Sequence, residues 1–322
     1  MTEPLEIVLL LALPASGKSE VRRYLSHLSP DQCRTDFHLG PTVQLDDFPY
    51  VHLMRRIDDE LAALAQPRAF FVAPDRSFQD PRDWGTLIQL LNEDHADLAA
   101  QRRYNPPSAG EDLMNRLEAA GAKVGIGARL AKLDAATHAA VAQKIEREAR
   151  ALLDEKIAHY TALAGKTLVI EFARGGRQGS TLPFEGPFGY RYSLAQLSSA
   201  ILEHASILYI WVTAAESRRK NAARADPDDP GSILHHGVPQ EVMMNDYGLD
   251  DMDWLELHAR KPGTVTVETG TKVFHLPIAR FDNRVDKTSF IREDPKDWKA
   301  GEVQAVHAGL KGALDRLAAA RR

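Results

Sequence analysis

The sequence predicts an α/β fold, a three-layer core with a five-stranded parallel sheet and a large helical insertion after the second strand. Three observations lead there. Short apolar runs bounded by turn residues recur at 6–13, 42–45, 167–172, 207–213 and 272–277. Most are followed by helical periodicity, the alternation that gives a parallel sheet covered on both faces. More than a hundred residues, about 51–165, separate the second run from the third and read mostly helical. With 322 residues and 44% hydrophobic content, the chain can bury one large core, or a core plus an inserted subdomain, without staples.

The first run, Ile7-Val8-Leu9-Leu10-Leu11, reads as a buried strand and leads into Ala12-Leu13-Pro14-Ala15-Ser16-Gly17-Lys18-Ser19. A Gly-Lys-Ser turn between a strand and a helix is the arrangement that binds a polyphosphate. Inward backbone N–H groups and the positive helix end surround the phosphates, Lys18 neutralises the β/γ oxygens, and the Ser19 hydroxyl ligates magnesium. All eight residues, Ala12 to Ser19, are therefore expected to bind nucleotide. Ala12 stands where glycine is commoner in this motif.

The second run ends in Leu45-Asp46-Asp47-Phe48. Ligands of open parallel sheets bind beyond the carboxyl ends of the strands. There, Asp46 is expected to take the proton of an attacking hydroxyl, or one of the pair, with Asp47 the candidate, to help hold magnesium; which of the two is the base stays open at this point. The competing reading makes both aspartates turn formers before Pro49.

In the insertion, Leu130, Leu133, Thr137, Val141, Ile145, Leu152 and Leu163 fall at helical steps, which predicts one long amphipathic helix. Asp134 or Gly127 would start it and Gly165 end it, giving a rod of roughly 45 Å that must bend or form a hairpin arm. Arg55, Arg56, Arg76 and Arg82 are weaker candidates for holding an anionic acceptor, against an ordinary surface role.

The third run ends Val169-Ile170-Glu171-Phe172, with Ala173-Arg174-Gly175-Gly176-Arg177 after it. Glu171 is expected in the metal shell; otherwise it would pair with Arg174 or Arg177. The fourth run precedes a basic helix, 216–224, in which Arg219 and Arg224 are expected to close over a triphosphate. A solvated helix with a Glu216–Lys220 ion pair explains part of that pattern. The Pro/Asp/Gly-rich stretch 226–231 reads as an exposed, mobile lid, and His235-His236 lack a second ligand pair for zinc. Trp84, Trp211, Trp254 and Trp298 read as core or interface filler. Val306, Leu310, Leu314 and Leu317 share one face of a terminal helix.

The divisions expected are 1–50 for the first part of the core, 51–165 for a cap facing an acceptor or partner, 166–290 for the second part with a lid region at 214–240, and 291–322 for a C-terminal helix on the core. A net charge of -5 argues against polymeric nucleic acid. Cys33 is the only cysteine, which excludes an intramolecular disulfide and fits a reducing compartment. The first apolar run is too short to cross a bilayer and is flanked by Glu3 and Glu6, so a cytoplasmic location without membrane attachment is expected.

On Ala12–Ser19 and Asp46-Asp47-Phe48, the chain resembles the P-loop NTPase superfamily, and within it the small-molecule kinases of the uridine kinase and phosphoribulokinase branch. The resemblance covers the first fifty residues and about 167–277. It implies a P-loop NTPase fold, ATP and Mg2+ as cofactors, transfer of the γ-phosphate to an unidentified small hydroxyl- or phosphate-bearing acceptor contacted by the insertion, Asp46 as catalytic base, Glu171 at the acidic strand-end position, and Lys18, Arg219 and Arg224 as catalytic cations. Two other readings use the same motif: an ATP-hydrolysing switch whose helical insertion binds a protein partner, and a nucleotide-binding module without turnover.

Overall fold

The computed structural model describes residues 3–224 and 237–321. The elements in chain order are β1 (Ile7–Leu11), α1 (Lys18–Ser26), α2 (Pro30–Phe37), β2 (Thr42–Asp46), α3 (Phe48–Ala63), α4 (Asp83–Ala100), α5 (Ala109–Lys123) and α6 (Ala135–Ala158). There follow β3 (Thr167–Phe172), α7 (Gly189–Ala195), α8 (Ser199–Leu202), β4 (Ala205–Trp211), α9 (Ala214–Arg224), α10 (Gln240–Asn245), α11 (Met252–Leu257), β5 (Thr264–Thr269), β6 (Lys272–Asp282) and α12 (Ala300–Ala320). The chain is thus α/β.

Its sheet has six strands in the order β2-β3-β1-β4-β6-β5 and is mixed. This corrects the expected purely parallel five-stranded sheet. β2, β3, β1 and β4 run parallel, as does the second half of β6, where Ile278–Asp282 pairs with Ile207–Trp211. The run 272–277, expected as a parallel strand, instead pairs antiparallel with β5, from Thr264↔Pro277 to Thr269↔Lys272. Pro277 has no N–H to give to a ladder. It stands where β6 leaves one neighbour and joins the other.

Layers cover both sheet faces. On one, Val21 and Tyr24 of α1, Phe37 of α2, and Val306, Leu310, Leu314 and Leu317 of α12 pack against Val8, Leu10, Leu208 and Phe281. On the other, α4, α7, α8 and α11 pack on Leu9, Leu11, Ile170 and Ile207. Burying these branched side chains supplies most of the driving force for the core.

The helices between β2 and β3 form a second core from α3, α5, α6 and the other face of α4. α4 belongs to both: Ile88, Leu91 and Leu98 face the sheet, while Trp84, Leu87 and Leu90 face the helices. The single long helix expected to run to Gly165 does not form, a second correction. Asp134 caps α6, accepting from the N–H groups of Ala136 and Thr137. The helix ends at Ala158, well short of Gly165, so its 24 residues span roughly 36 Å. Leu130 lies in a preceding 3-10 turn and Leu163 beyond the helix end. Val141 and Ile145 are buried against the neighbouring helices, so the length is absorbed by packing.

A charged knot locks this core. Asp94 of α4 accepts from Tyr50 Oη at 2.7 Å and from Arg116 Nη2 at 2.8 Å, and pairs closely with Lys156 Nζ. All four helices meet at this one carboxylate, and Tyr50 sits three residues after Asp47. Among the described residues no helix is long and apolar enough to cross a membrane.

Asp94→Ala leaves the buried Lys156 without its carboxylate and Arg116 with Glu93 alone, and is expected to cost on the order of 3–5 kcal/mol of stability in urea unfolding. Adding Lys156→Met should recover part of that loss. An unchanged midpoint for the single variant would refute the assignment.

Candidate functional site

Five strand-end segments meet at the carboxyl edge of the sheet. The first is the turn after β1. Ala12 and Leu13 are buried in the cores and take no part in the cavity, whereas Pro14, Ala15, Ser16, Gly17, Lys18 and Ser19 line it. Gly17 caps α1 with φ +107°, and a Cβ there would lie 2.5 Å from Thr288 Oγ1 and 2.8 Å from Asn283 Nδ2. Only glycine fits.

The turn is tied down by its carbonyls. Asn283 Nδ2 donates to Ser16 O at 2.7 Å and Ser217 Oγ to Pro14 O at 2.7 Å, while Lys18 Nζ approaches Ala12 O at 3.4 Å. Among the described residues, no acceptor takes the N–H groups of Ala15, Ser16 or Gly17, and the buried Ser16 Oγ has no partner. Carbonyls engaged from behind and donors left open in front form a cradle for an anion, at the positive end of α1. These residues fit a triphosphate.

The acidic tips come next. The β2–β3 register sets Asp46 opposite Glu171, and strand alternation turns both toward the α1 side, since Leu45 and Ile170 face the other. Glu171 pairs with Arg22 Nη1 at 3.1 Å and lies 4.0 Å from Lys18 Nζ. Neither Arg174 nor the exposed Arg177 is its partner. Asp46 Oδ1 accepts from Phe48 N at 2.9 Å, which makes the turn into α3. Burial, and then the carboxylates of Glu171 and Asp47, push Asp46 up to about 8.

Asp47 does not turn to Glu171. Its Oδ2 lies 2.7 Å from Arg174 Nη1 as an ion pair, and Arg174 is 1% exposed. The guanidinium also donates to Ser193 Oγ, Ala173 O and Trp84 O, and lies over the Trp84 ring. The expected metal role of Asp47 is therefore replaced by a buried ion pair. Among the described residues no three carboxylate, imidazole or thiol groups converge to cage an ion. Magnesium is commonly held by one or two protein groups plus substrate phosphates, and Ser19 with Glu171 fits that pattern.

The insertion supplies the outer wall. Asp58, fully buried, accepts from the N–H groups of Ala69, Phe70 and Phe71 and so fixes the segment carrying Phe71. Phe71 stacks on Phe78 at 4.4 Å, Phe78 meets Trp84 edge-on at 4.9 Å, and Trp84 meets Tyr247 at 5.7 Å. All four rings line the cavity with the loop and Asp46. Of the four arginines named from sequence, only Arg55 reaches it. Arg56 is bound to Glu60 and Glu148, Arg76 to Glu241, and Arg82 to Asp80.

On α9, Arg219 is 58% exposed, bound to Glu216 and 3.6 Å from Asp286, away from the cavity lining. Lys220, expected at the surface, is buried and 2.9 Å from Asp286. The side chain of Arg224, the stretch 226–231 and His235-His236 lie outside the described residues.

Sequence reasoning missed Arg174 as an organiser of the site, and Asn283, Thr288, Asp246 and Tyr247 altogether. Asp282-Asn283-Arg284 was legible as a polar cluster at the end of an apolar run, the place where ligands bind. Tyr247 and Trp84 come together only through tertiary packing. No protein-family model, no curated protein and no solved structure matches the chain.

Folded protein holds a proton on Asp46 up to about pH 8, whereas the unfolded chain releases it near pH 4. The native state therefore binds more protons between these limits, and stability contributed by Asp46 falls as pH rises through that window. In magnesium-free buffer, Asp46→Asn is expected to flatten this slope and exceed the wild type in stability at pH 8. Parallel stability–pH curves would refute it.

Proposed function

We propose that this chain is an ATP- and magnesium-dependent phosphotransferase of the P-loop small-molecule kinase type, moving the γ-phosphoryl group to a small hydroxyl-bearing acceptor. The observation that carries the reading is a loop with open amides, an open Ser16 hydroxyl and Lys18 that shares one cavity with Asp46. The order of the parallel strands, with β1 between β3 and β4, supports it by setting the loop beside the acidic strand ends.

In this reading the loop amides and Lys18 hold the β- and γ-phosphates. Magnesium brought with the nucleotide would be held by Ser19 and Glu171 and would neutralise phosphate charge. Asp46, in its ionised form, accepts the acceptor's hydroxyl proton as that oxygen attacks phosphorus and the bond to the β-phosphate oxygen breaks; Lys18 and the cation brought with the nucleotide would favour that form, which the free protein reaches near pH 8. A carboxylate of raised proton affinity suits this role better than an ordinary one. Arg174 keeps Asp47, and with it the Asp46 turn, in place. Positioning and preorganised charge supply most of the rate.

Arg219 has no step assigned in this arrangement, because its guanidinium is bound to Glu216 away from the cavity. The switch reading asks the insertion to present a surface to a protein. Its side chains Val51, Arg55, Phe71, Phe78 and Trp84 instead close over the cavity that holds Asp46. That favours a metabolite-sized acceptor.

Lys18→Ala is expected to abolish MgATP binding in calorimetry. Asp46→Asn should keep MgATP binding and lower acceptor-dependent ADP formation about 10²-fold or more. Full transfer by Asp46→Asn would remove the base from the scheme.

A further inference from the structure

Resting on the phosphotransferase reading, we infer that Lys220 and Asp286 are positioning residues for the phosphate loop, which aim its amides at a polyphosphate through Thr288 and Asn283 without touching the ligand. The starting observation is that the inward face of α9 is polar. Ser217, Lys220 and Asn221 fall within about one turn and are all buried, while Arg219 among them points to solvent. Taking an ammonium group out of water costs more than an ion pair commonly returns, so a buried lysine here is better explained by the geometry it enforces than by stability.

That geometry is a chain of contacts ending at the loop. Lys220 Nζ lies 2.9 Å from Asp286 Oδ1. Asp286 accepts from the N–H groups of Thr288 and Ser289 at 3.2 and 3.1 Å and from Ser289 Oγ at 2.5 Å, which closes the turn 286–289. The turn sets Thr288 Oγ1 2.9 Å from Asn283 Nδ2, the group that also donates to Ser16 O at 2.7 Å. Asn283 and Thr288 are buried, and Asn283 Oδ1 accepts from Lys287 N at 2.8 Å, so the amide is fixed in one orientation.

The peptide bonds of the loop are trans, and in a planar trans peptide the C=O and the following N–H point opposite ways. Drawing Ser16 O back therefore turns the N–H of Gly17 toward the cavity. Ser217 Oγ, which draws Pro14 O back at 2.7 Å, does the same for the N–H of Ala15. α9 thus steers two of the open amides, one directly and one through Asp286. Neither Lys220 nor Asp286 lines the cavity, so their effect on a ligand passes through the loop.

The test is calorimetric titration of the full chain with MgATP and, as a probe without a base, magnesium tripolyphosphate. Lys220→Met is expected to weaken both by the same factor, about tenfold, the size of one well-aligned hydrogen bond. Because both residues act through one amide, Lys220→Met combined with Asn283→Ala should bind no more weakly than Asn283→Ala alone. A merely structural ion pair would lower the urea midpoint and leave the affinities of the folded variant alone. Affinities within about twofold of the wild type, losses confined to one of the two probes, or losses that multiply in the double variant would overturn the inference. Should Lys220→Met fail to fold, Asp286→Asn, of nearly unchanged size, is held to the same expectations and the same refutations. The wild type separates the two levels: heat from MgATP with unaltered variants refutes only the positioning role, while no heat at all refutes the phosphotransferase reading beneath it.

Discussion

The guanidinium of Arg174 is the constraint on which the arrangement of the site depends. It leaves the end of β3, is 1% exposed, and contacts the start of α3 through Asp47, the start of α4 through Trp84 O, and α7 through Ser193. Sheet, insertion and the helix layer on the second face thus share one charged group. Removing a guanidinium from water is costly, and the charge of Asp47 with the hydrogen bonds to Ser193, Ala173 O and Trp84 O offset that cost only in this geometry. The pair therefore specifies position more than it adds stability. Asp47 fixed in this way leaves Asp46, its neighbour, to face Glu171 and the loop.

A second constraint holds the insertion to the core. α4 is apolar on both sides and cannot be exposed on either, so the helices that follow β2 must close on it. Tyr50, in the first turn of α3, is clamped by Asp94, Arg116 and Lys156. The same short stretch, 46–50, thereby ends a strand, pairs with Arg174 and anchors four helices. Displacement of the insertion would be felt at Asp46.

The loop shows the complementary economy of polar groups. Asn283 and Ser217 take its carbonyls, Thr288 and Asn283 leave no room for a Cβ on Gly17, and the donors remain on the cavity side. Both helpers come from segments that follow distant strands, β6 and β4. The open-amide turn is thus a property of the whole sheet edge, and the eight-residue motif forms only its floor.

Local signals were enough for much of this. The Gly-Lys-Ser turn after an apolar run, the two aspartates ending the second run, Asp134 as a helix start and the apolar face of α12 are all short-range patterns, in which residue type and spacing determine the conformation. The β5–β6 hairpin was legible too, as Thr264-Val265-Thr266-Val267 alternating before Gly270, yet the run 272–277 read equally as a parallel strand. Which neighbour a strand takes is decided by packing across the sheet and not by its own side chains. The same limit governs charge. Sequence places Asp47, Glu171, Arg22 and Arg174 within reach of one sheet edge, but whether Arg174 takes Asp47 or Glu171 depends on which face each strand end presents once registered. The aromatic wall has its members at positions 71, 78, 84 and 247, and no local rule joins them. By itself the sequence determined the Gly-Lys-Ser turn after the first strand, the acidic strand ends and the existence of a helical insertion; the tertiary structure alone decided the ion pairs and the aromatic wall, because those depend on distances between segments that touch only after the chain has folded.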